Sequence, residues 1–107
     1  MIFWYEELKE CVEEDFERFY KMDFNENQIF PAVLNEYEHG EDFSLVENIC
    51  IHLFFILYYK GKNMDCKQII DRLNQLMGEE EKREINVELG NEYSKFITDL
   101  NIVRNGK

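Results

Sequence analysis

The stretch Leu45 to Tyr59, LVENICIHLFFILYY, limits what this chain can become. From Ile49 to Tyr59 only His52 is not apolar. A helix built from such a run has no polar face and is buried on most sides. A buried strand is the rival form. Ser44 with Glu47 three residues on reads as a capping box, and Gly61 follows Lys60 as a stop. The run is also long beside the usual strand of about 5–6 residues. It is short of the roughly 20 apolar residues that span a bilayer. The expectation is a central helix over about 43–60, inside a small all-α domain.

A length of 107 residues fits one domain, taken as 1–107. Aromatic residues make up 15% of it. Each buried Phe, Leu or Ile contributes roughly 1.5–3 kcal/mol, so no disulfide staple is needed. Cys11, Cys50 and Cys66 show no CxxC spacing. An odd, unpatterned set suggests reduced thiols in a cytoplasmic protein. The start MIFWYEELKE has no basic region ahead of its apolar patch, unlike a signal peptide.

Four more helices are expected around the central one. In Phe3 to Met22, the residues Tyr5, Leu8, Val12, Phe16 and Phe19 share one face. Glu6, Glu10, Glu13 and Glu17 fall opposite, with Glu7 and Glu14 beside them. A second helix, capped by Asn25 or Asn27, runs to about Glu38 with Ile29, Phe30, Val33, Leu34 and Tyr37 inward. Pro31 either bends its first turns or marks its first position. Asp65 with Gln68 opens a fourth helix, which buries Cys66, Ile69, Leu73 and their neighbours and ends at Gly78. The fifth runs over about 79–104 on Ile85, Leu89, Tyr93, Phe96, Leu100 and Val103. Gly90 lies off that stripe and is either tolerated or marks a bend or break. The fold class is all-α, a bundle of about five helices.

Catalytic chemistry finds little support. GxSxG, HExxH and glycine-rich phosphate loops are absent. Asp23-x-Asn25-x-Asn27 opens like a calcium loop, but Gln28 and Leu34 stand where glycine and glutamate are needed. His52 reads as a core histidine with hydrogen-bonded nitrogens. His39 lies among acids but matches no zinc spacing. Cys11, Cys50 and Cys66 read as buried small hydrophobes. The expectation is a non-enzyme with no metal and no cofactor.

Charge is the remaining signal. The net charge is −11. Residues 1–59 hold 14 acids and 3 bases, whereas residues 60–107 hold 9 of each. All the excess lies in the first half. Such a field repels nucleic acid and anionic membrane and attracts basic partners. Glu10, Glu13, Glu14 and Glu17 on the first helix form one patch with Glu36, Glu38, Glu41 and Asp42 if the second connection packs near that helix. A solvated face with no partner is the competing interpretation.

Several strings resemble a family of small acidic immunity proteins from bacterial polymorphic-toxin and contact-dependent inhibition systems. They are Tyr5-Glu6-Glu7-Leu8, Phe16 to Tyr20, the turn Asp23-Phe24-Asn25, Ala32 to Glu38, and the apolar helix from Val46 to Tyr59. The resemblance covers roughly residues 4–77. Phe54-Phe55 and Tyr58-Tyr59 depart from the alanine and glutamine often found in the family's central helix, and nothing from Gly78 onward matches. The resemblance implies a protein that binds one cognate toxin and blocks it. Many such toxins are nucleases with basic active sites. Trp4, Tyr20, Phe24 and Tyr37 would then be candidate aromatic anchors. A different class, a helical adaptor that takes a partner helix in an aromatic groove, is the runner-up. A nucleic-acid mimic that inhibits a DNA-binding protein shares the electrostatics.

Overall fold

A helix with no polar side needs neighbours all round, and the chain supplies them. The computed structural model describes residues 4–39 and 44–105, with the side chains of Trp4, Glu26, Asn27, Glu79, Glu80 and Asn105 outside that description. The described residues form α1 (Trp4–Lys21), α2 (Glu26–Glu38), α3 (Leu45–Gly61), α4 (Lys67–Leu76), α5 (Glu79–Leu89) and α6 (Tyr93–Asn105), with a 3₁₀ turn at Gly90–Glu92. No strand occurs among them. The fold is all-α: five helical rods, the fifth broken in two at Gly90.

The central helix α3 packs against α1, α4, α5 and α6, and Phe30 of α2 closes the remaining side through Phe55 and His52. Ser44 caps it, its Oγ accepting the Glu47 N–H at 3.1 Å. Ile49, Cys50, Ile51, His52, Leu53, Phe54, Phe55 and Ile56 are all fully buried. The rings interlock mostly edge to face or tilted. Tyr5 meets Phe54 at 5.1 Å, and Phe16 meets Phe55 at 6.3 Å and Tyr59 at 5.7 Å. Such pairs add about 0.5–1.5 kcal/mol beyond area burial.

Helix periodicity placed the other inward faces correctly. Val12 and Phe16 of α1, Ile29, Val33 and Leu34 of α2, Ile69 and Leu73 of α4, and Ile85, Phe96 and Leu100 of the last rod join one hydrophobic cluster. Pro31 lies inside α2, which begins at Glu26. Its missing N–H leaves the Asn27 carbonyl without the usual helical donor. Next to it, the Phe30 N–H donates to Tyr59 Oη at 3.0 Å. At the start of α4, Cys66 occupies the cap position, while Asp65 Oδ1 still accepts the Lys67 N–H at 3.1 Å.

The break in the last rod has a structural use. Gly90 adopts φ +55°, a conformation that side-chain-bearing residues rarely take. The following turn buries Glu92, which is 3% exposed. Glu92 Oε2 accepts the Tyr5 N–H at 2.9 Å. A carboxylate there satisfies a donor that the first helical turn leaves open and complements the helix dipole. The same residue's Oη donates to Asp99 Oδ2 at 2.6 Å, and one turn further along α1 Lys9 Nζ donates to that oxygen at 3.0 Å. Tyr58 Oη closes the set by donating to the Lys9 carbonyl at 2.7 Å. Burial first, and then the Asp99 carboxylate, push the Tyr5 hydroxyl far above its ordinary value, so it stays a donor.

This polar cluster fixes α1 to the break in the last rod and to the middle of α6. Removing a buried hydrogen bond to a charged group costs about 1.5–3 kcal/mol. Tyr5→Phe and Asp99→Ala should therefore each lower unfolding free energy by about that amount, with Asp99→Ala the larger loss. Urea denaturation of the single variants and the double variant checks it. The shared bond predicts that the two losses combine less than additively.

Candidate functional site

The described residues contain no group of three or more His, Cys, Asp or Glu placed to hold a metal ion. His39 Nδ1 lies 2.7 Å from the Asn35 carbonyl, a local helical contact. No described helix is long and apolar enough to cross a membrane. The feature that distinguishes the surface is the outward side of α1 and its junction with α2.

With Tyr5, Val12 and Phe16 turned inward, the 3.6-residue period aims Glu7, Glu10 and Glu14 at solvent. All three are exposed, as is Glu13. The ends of α1 differ. Glu6 pairs with Lys95 at 3.4 Å, and Glu17 with Lys62 at 3.3 Å. The Lys62 ammonium also sits 4.8 Å from the Tyr20 ring centroid. Among the described residues, no base lies within ion-pair distance of Glu7, Glu10, Glu13 or Glu14. The result is a ridge of four uncompensated carboxylates, with a neutralised glutamate before it and another after it along the helix.

The sequence posed the condition that the second connection must approach α1. Residues 40–43 of that connection lie outside the described residues, but helix α2, which leads into it, packs on α1. Tyr37 Oη donates to Asp15 Oδ2 at 2.9 Å. Arg18 Nη2 reaches both Glu36 oxygens, at 3.2 and 3.1 Å, and lies 3.6 Å from Asp15. Between the two helices runs an open groove of about 330 Å³, lined by Leu8, Cys11, Glu14, Asp15, Glu36 and Tyr37. The groove brings Glu14 and Glu36 together, and Glu10 and Glu13 continue the acidic surface along α1. Glu38 is exposed in the last turn of α2. Glu41 and Asp42 lie outside the described residues. Glu17 shares the outward face with Glu10 and Glu13 but is tied to Lys62, so the ridge does not include it as a free charge.

Of the candidate aromatic anchors, Tyr20 is 41% exposed. Phe24 packs against Phe19 at 4.8 Å, Tyr37 is held by Asp15, and the Trp4 side chain lies outside the described residues. One expectation fails outright. Cys11 is exposed, while Cys50 and Cys66 are buried. Cys11 sits at the edge of the α1 stripe, on the side where α2 leaves the groove open. The contacts missed from sequence are the Glu92 cap, the Asp99 cluster and the Arg18–Glu36 pair. A signal for the first two was present: Glu92 and Asp99 each lie three residues beyond a buried residue, Leu89 and Phe96, and seven apart from each other.

The chain matches no protein-family model, no curated protein and no solved structure.

The thiols give a check on the groove. Partial burial, then Glu14, Asp15, Glu10 and Glu7, raise the Cys11 thiol above its ordinary value. Burial raises the Cys50 and Cys66 thiols too. The thiolate is the reactive form. Native protein treated with iodoacetamide near pH 8 should therefore be modified at one cysteine, Cys11, and slowly compared with a free peptide thiol. Glu14→Gln should speed that reaction, as peptide mass spectrometry would show.

Proposed function

We propose that this chain is an immunity protein that neutralises a cognate bacterial toxin by docking the acidic face of α1 and α2 on a basic toxin domain, with a nuclease domain the favoured type. The observation that carries this is the ridge of Glu7, Glu10, Glu13 and Glu14, where among the described residues no base compensates. Glu10 and Glu14 stand four apart on one helix, an arrangement that costs a few tenths of a kcal/mol, about 0.2–0.5 per pair. A solvated helix surface needs charge, but it does not need charge of one sign. A phosphate-handling site supplies the complement, because it holds basic residues around a polyanion.

The mode of action follows from the electrostatics. A concentrated negative face accelerates encounter with a basic domain and orients it. Docking then covers the surface on which nucleic acid would lie. The groove beside the ridge offers an apolar floor of Leu8 and Tyr37 to the stems of long basic side chains. The resemblance of residues 4–77 to acidic immunity proteins points the same way.

The test is neutralisation. The toxin domain encoded directly upstream should arrest growth when expressed alone, and co-expression of this chain should restore growth. Glu10→Lys, Glu13→Lys and Glu14→Lys combined should abolish rescue and weaken binding at least 100-fold while leaving the helical circular dichroism unchanged. Glu17 is left intact because it serves Lys62. Binding of the wild-type chain should fall steeply between 50 and 300 mM salt. Unchanged binding by the triple variant would remove the ridge from the interface. Salt-insensitive binding would favour the adaptor that takes a partner helix in a groove.

A further inference from the structure

His52 is fully buried in the middle of α3. Its Nδ1 lies 2.7 Å from the Asn48 carbonyl oxygen. A carbonyl only accepts, so Nδ1 carries the proton and Nε2 is left as an acceptor. Nε2 is buried and has no hydrogen-bond partner. The expectation of a core histidine satisfied at both nitrogens is thus met at one of them. Two elements close over the ring. From α2, Phe30 stands with its ring centroid 5.0 Å away at an interplanar angle of 70°. From α4, the Arg72 guanidinium sits 5.5 Å from the centroid of that same Phe30 ring. Two charged groups act on the imidazole, both from packed neighbours. Arg72 of α4 opposes an imidazolium, and Glu38 of α2 favours one.

We propose that His52 is an acid-sensitive latch that holds α2 on α3 and α4 while neutral and releases it when protonated. The step is simple in balance. The Nε2 lone pair takes a proton from solvent, and no other bond changes. The product is a buried cation whose new N–H has no acceptor within hydrogen-bond reach where the ring sits, in a seat whose Phe30 wall carries the Arg72 guanidinium. A buried unpaired charge is among the least tolerated features of a protein interior. Relief comes by opening the seat, and Phe30 is its lid on the α2 side. Helix α2 is suited to yield there, since Pro31 has removed the backbone donor next to Phe30. Its polar ties to the rest of the fold include Phe30 N–H to Tyr59, Tyr37 to Asp15 and Arg18 to Glu36.

The sign follows from linkage. Burial, the largest influence, holds His52 below its ordinary value in the folded chain, whereas an unfolded histidine titrates near about 6.5. The latch is therefore fully effective above about pH 6.5 and weakens as pH falls toward the folded value, by up to about tenfold per pH unit. Because α2 bears Glu36 and Glu38, its release would also dismantle part of the acidic face. That consequence rests on the proposed toxin-binding role, while the latch itself does not.

Amide hydrogen exchange on the free chain, corrected for intrinsic rates, tests the latch whether or not a toxin partner exists. Between pH 7 and 5, protection at Ile29, Val33 and Leu34 of α2 should fall at least tenfold more than at Phe96 and Leu100 of α6. Arg72→Gln removes the opposing cation from an exposed position and should shrink that difference. His52→Gln cannot titrate and should eliminate it. Nitrogen chemical shifts at pH 7 should show a neutral ring protonated at Nδ1. The opposite tautomer would overturn the proposal. So would equal loss of protection in α2 and α6, or a difference that Arg72→Gln leaves unchanged.

Discussion

Everything in this fold answers to the absence of a polar face on α3. Its residues from Ile49 to Ile56 are buried without interruption, so water must be excluded from every side of two helical turns. A helix has room for about five or six neighbours at interaxial distances of 8–10 Å. The chain provides α1, α2, α4 and the broken α5–α6 rod, each contributing an apolar stripe. Because the centre presents no preferred face, it cannot by itself decide which neighbour goes where. That choice falls to the few polar contacts that interrupt the core. Tyr59 orients α2 through the Phe30 N–H. Asp99 and Glu92 orient α1 against the last rod. Lys60 reaches the Val103 carbonyl near the end of α6.

This division of labour explains what the sequence revealed. Periodicity reports burial, and it located the inward residues of α1, α2, α4 and the last rod, because burying them is the dominant favourable term. Chain punctuation was less decisive. Gly90 left a continuous helix, a bend and a break all open, since a helical glycine costs only about 1 kcal/mol. The break is set by what it gains, a buried Glu92 at the start of α1. That contact joins residues 87 apart in sequence, and the local spacing that puts Glu92 beside the buried stripe does not name its partner. Pro31 was ambiguous for a similar reason. It is tolerated inside α2 beside a Tyr59 hydroxyl that arrives from another helix.

Exposure on α1 was legible in the sequence, whereas the ion pairs and the cover over Cys11 were not, for the same cause. Helical spacing fixed which glutamates of α1 face outward, and Glu10, Glu13 and Glu14 do so. It could not tell which would meet a base. Glu17 and Glu6 find Lys62 and Lys95, and Glu36 finds Arg18, all through tertiary packing. Cys11 was assigned to the core because it borders an apolar stripe. Whether a bordering position is covered depends on how closely α2 approaches, and α2 stands off by the width of the groove at that level.

The charge distribution takes a different form once these contacts are in place. By sequence, the first half is strongly acidic and the second half neutral. In the fold, lysines of the second half reach across to α1, so the halves are not separate electrostatic bodies. Their effect is to neutralise Glu6 and Glu17 while leaving Glu7, Glu10, Glu13 and Glu14 untouched. The acidic excess is thereby narrowed to a ridge, instead of being spread over a helix. Narrowing matters physically, because screening in physiological salt acts over about 8 Å. Charges dispersed over a wider area would be felt separately by an approaching partner, whereas carboxylates on adjacent turns act together. The helix that carries them is held at its first turn by Glu92 and Asp99 and along its length by Val12 and Phe16. The backbone positions of the ridge are therefore set by a helix that is packed along its inner face, which gives its carboxylates a defined spacing along α1.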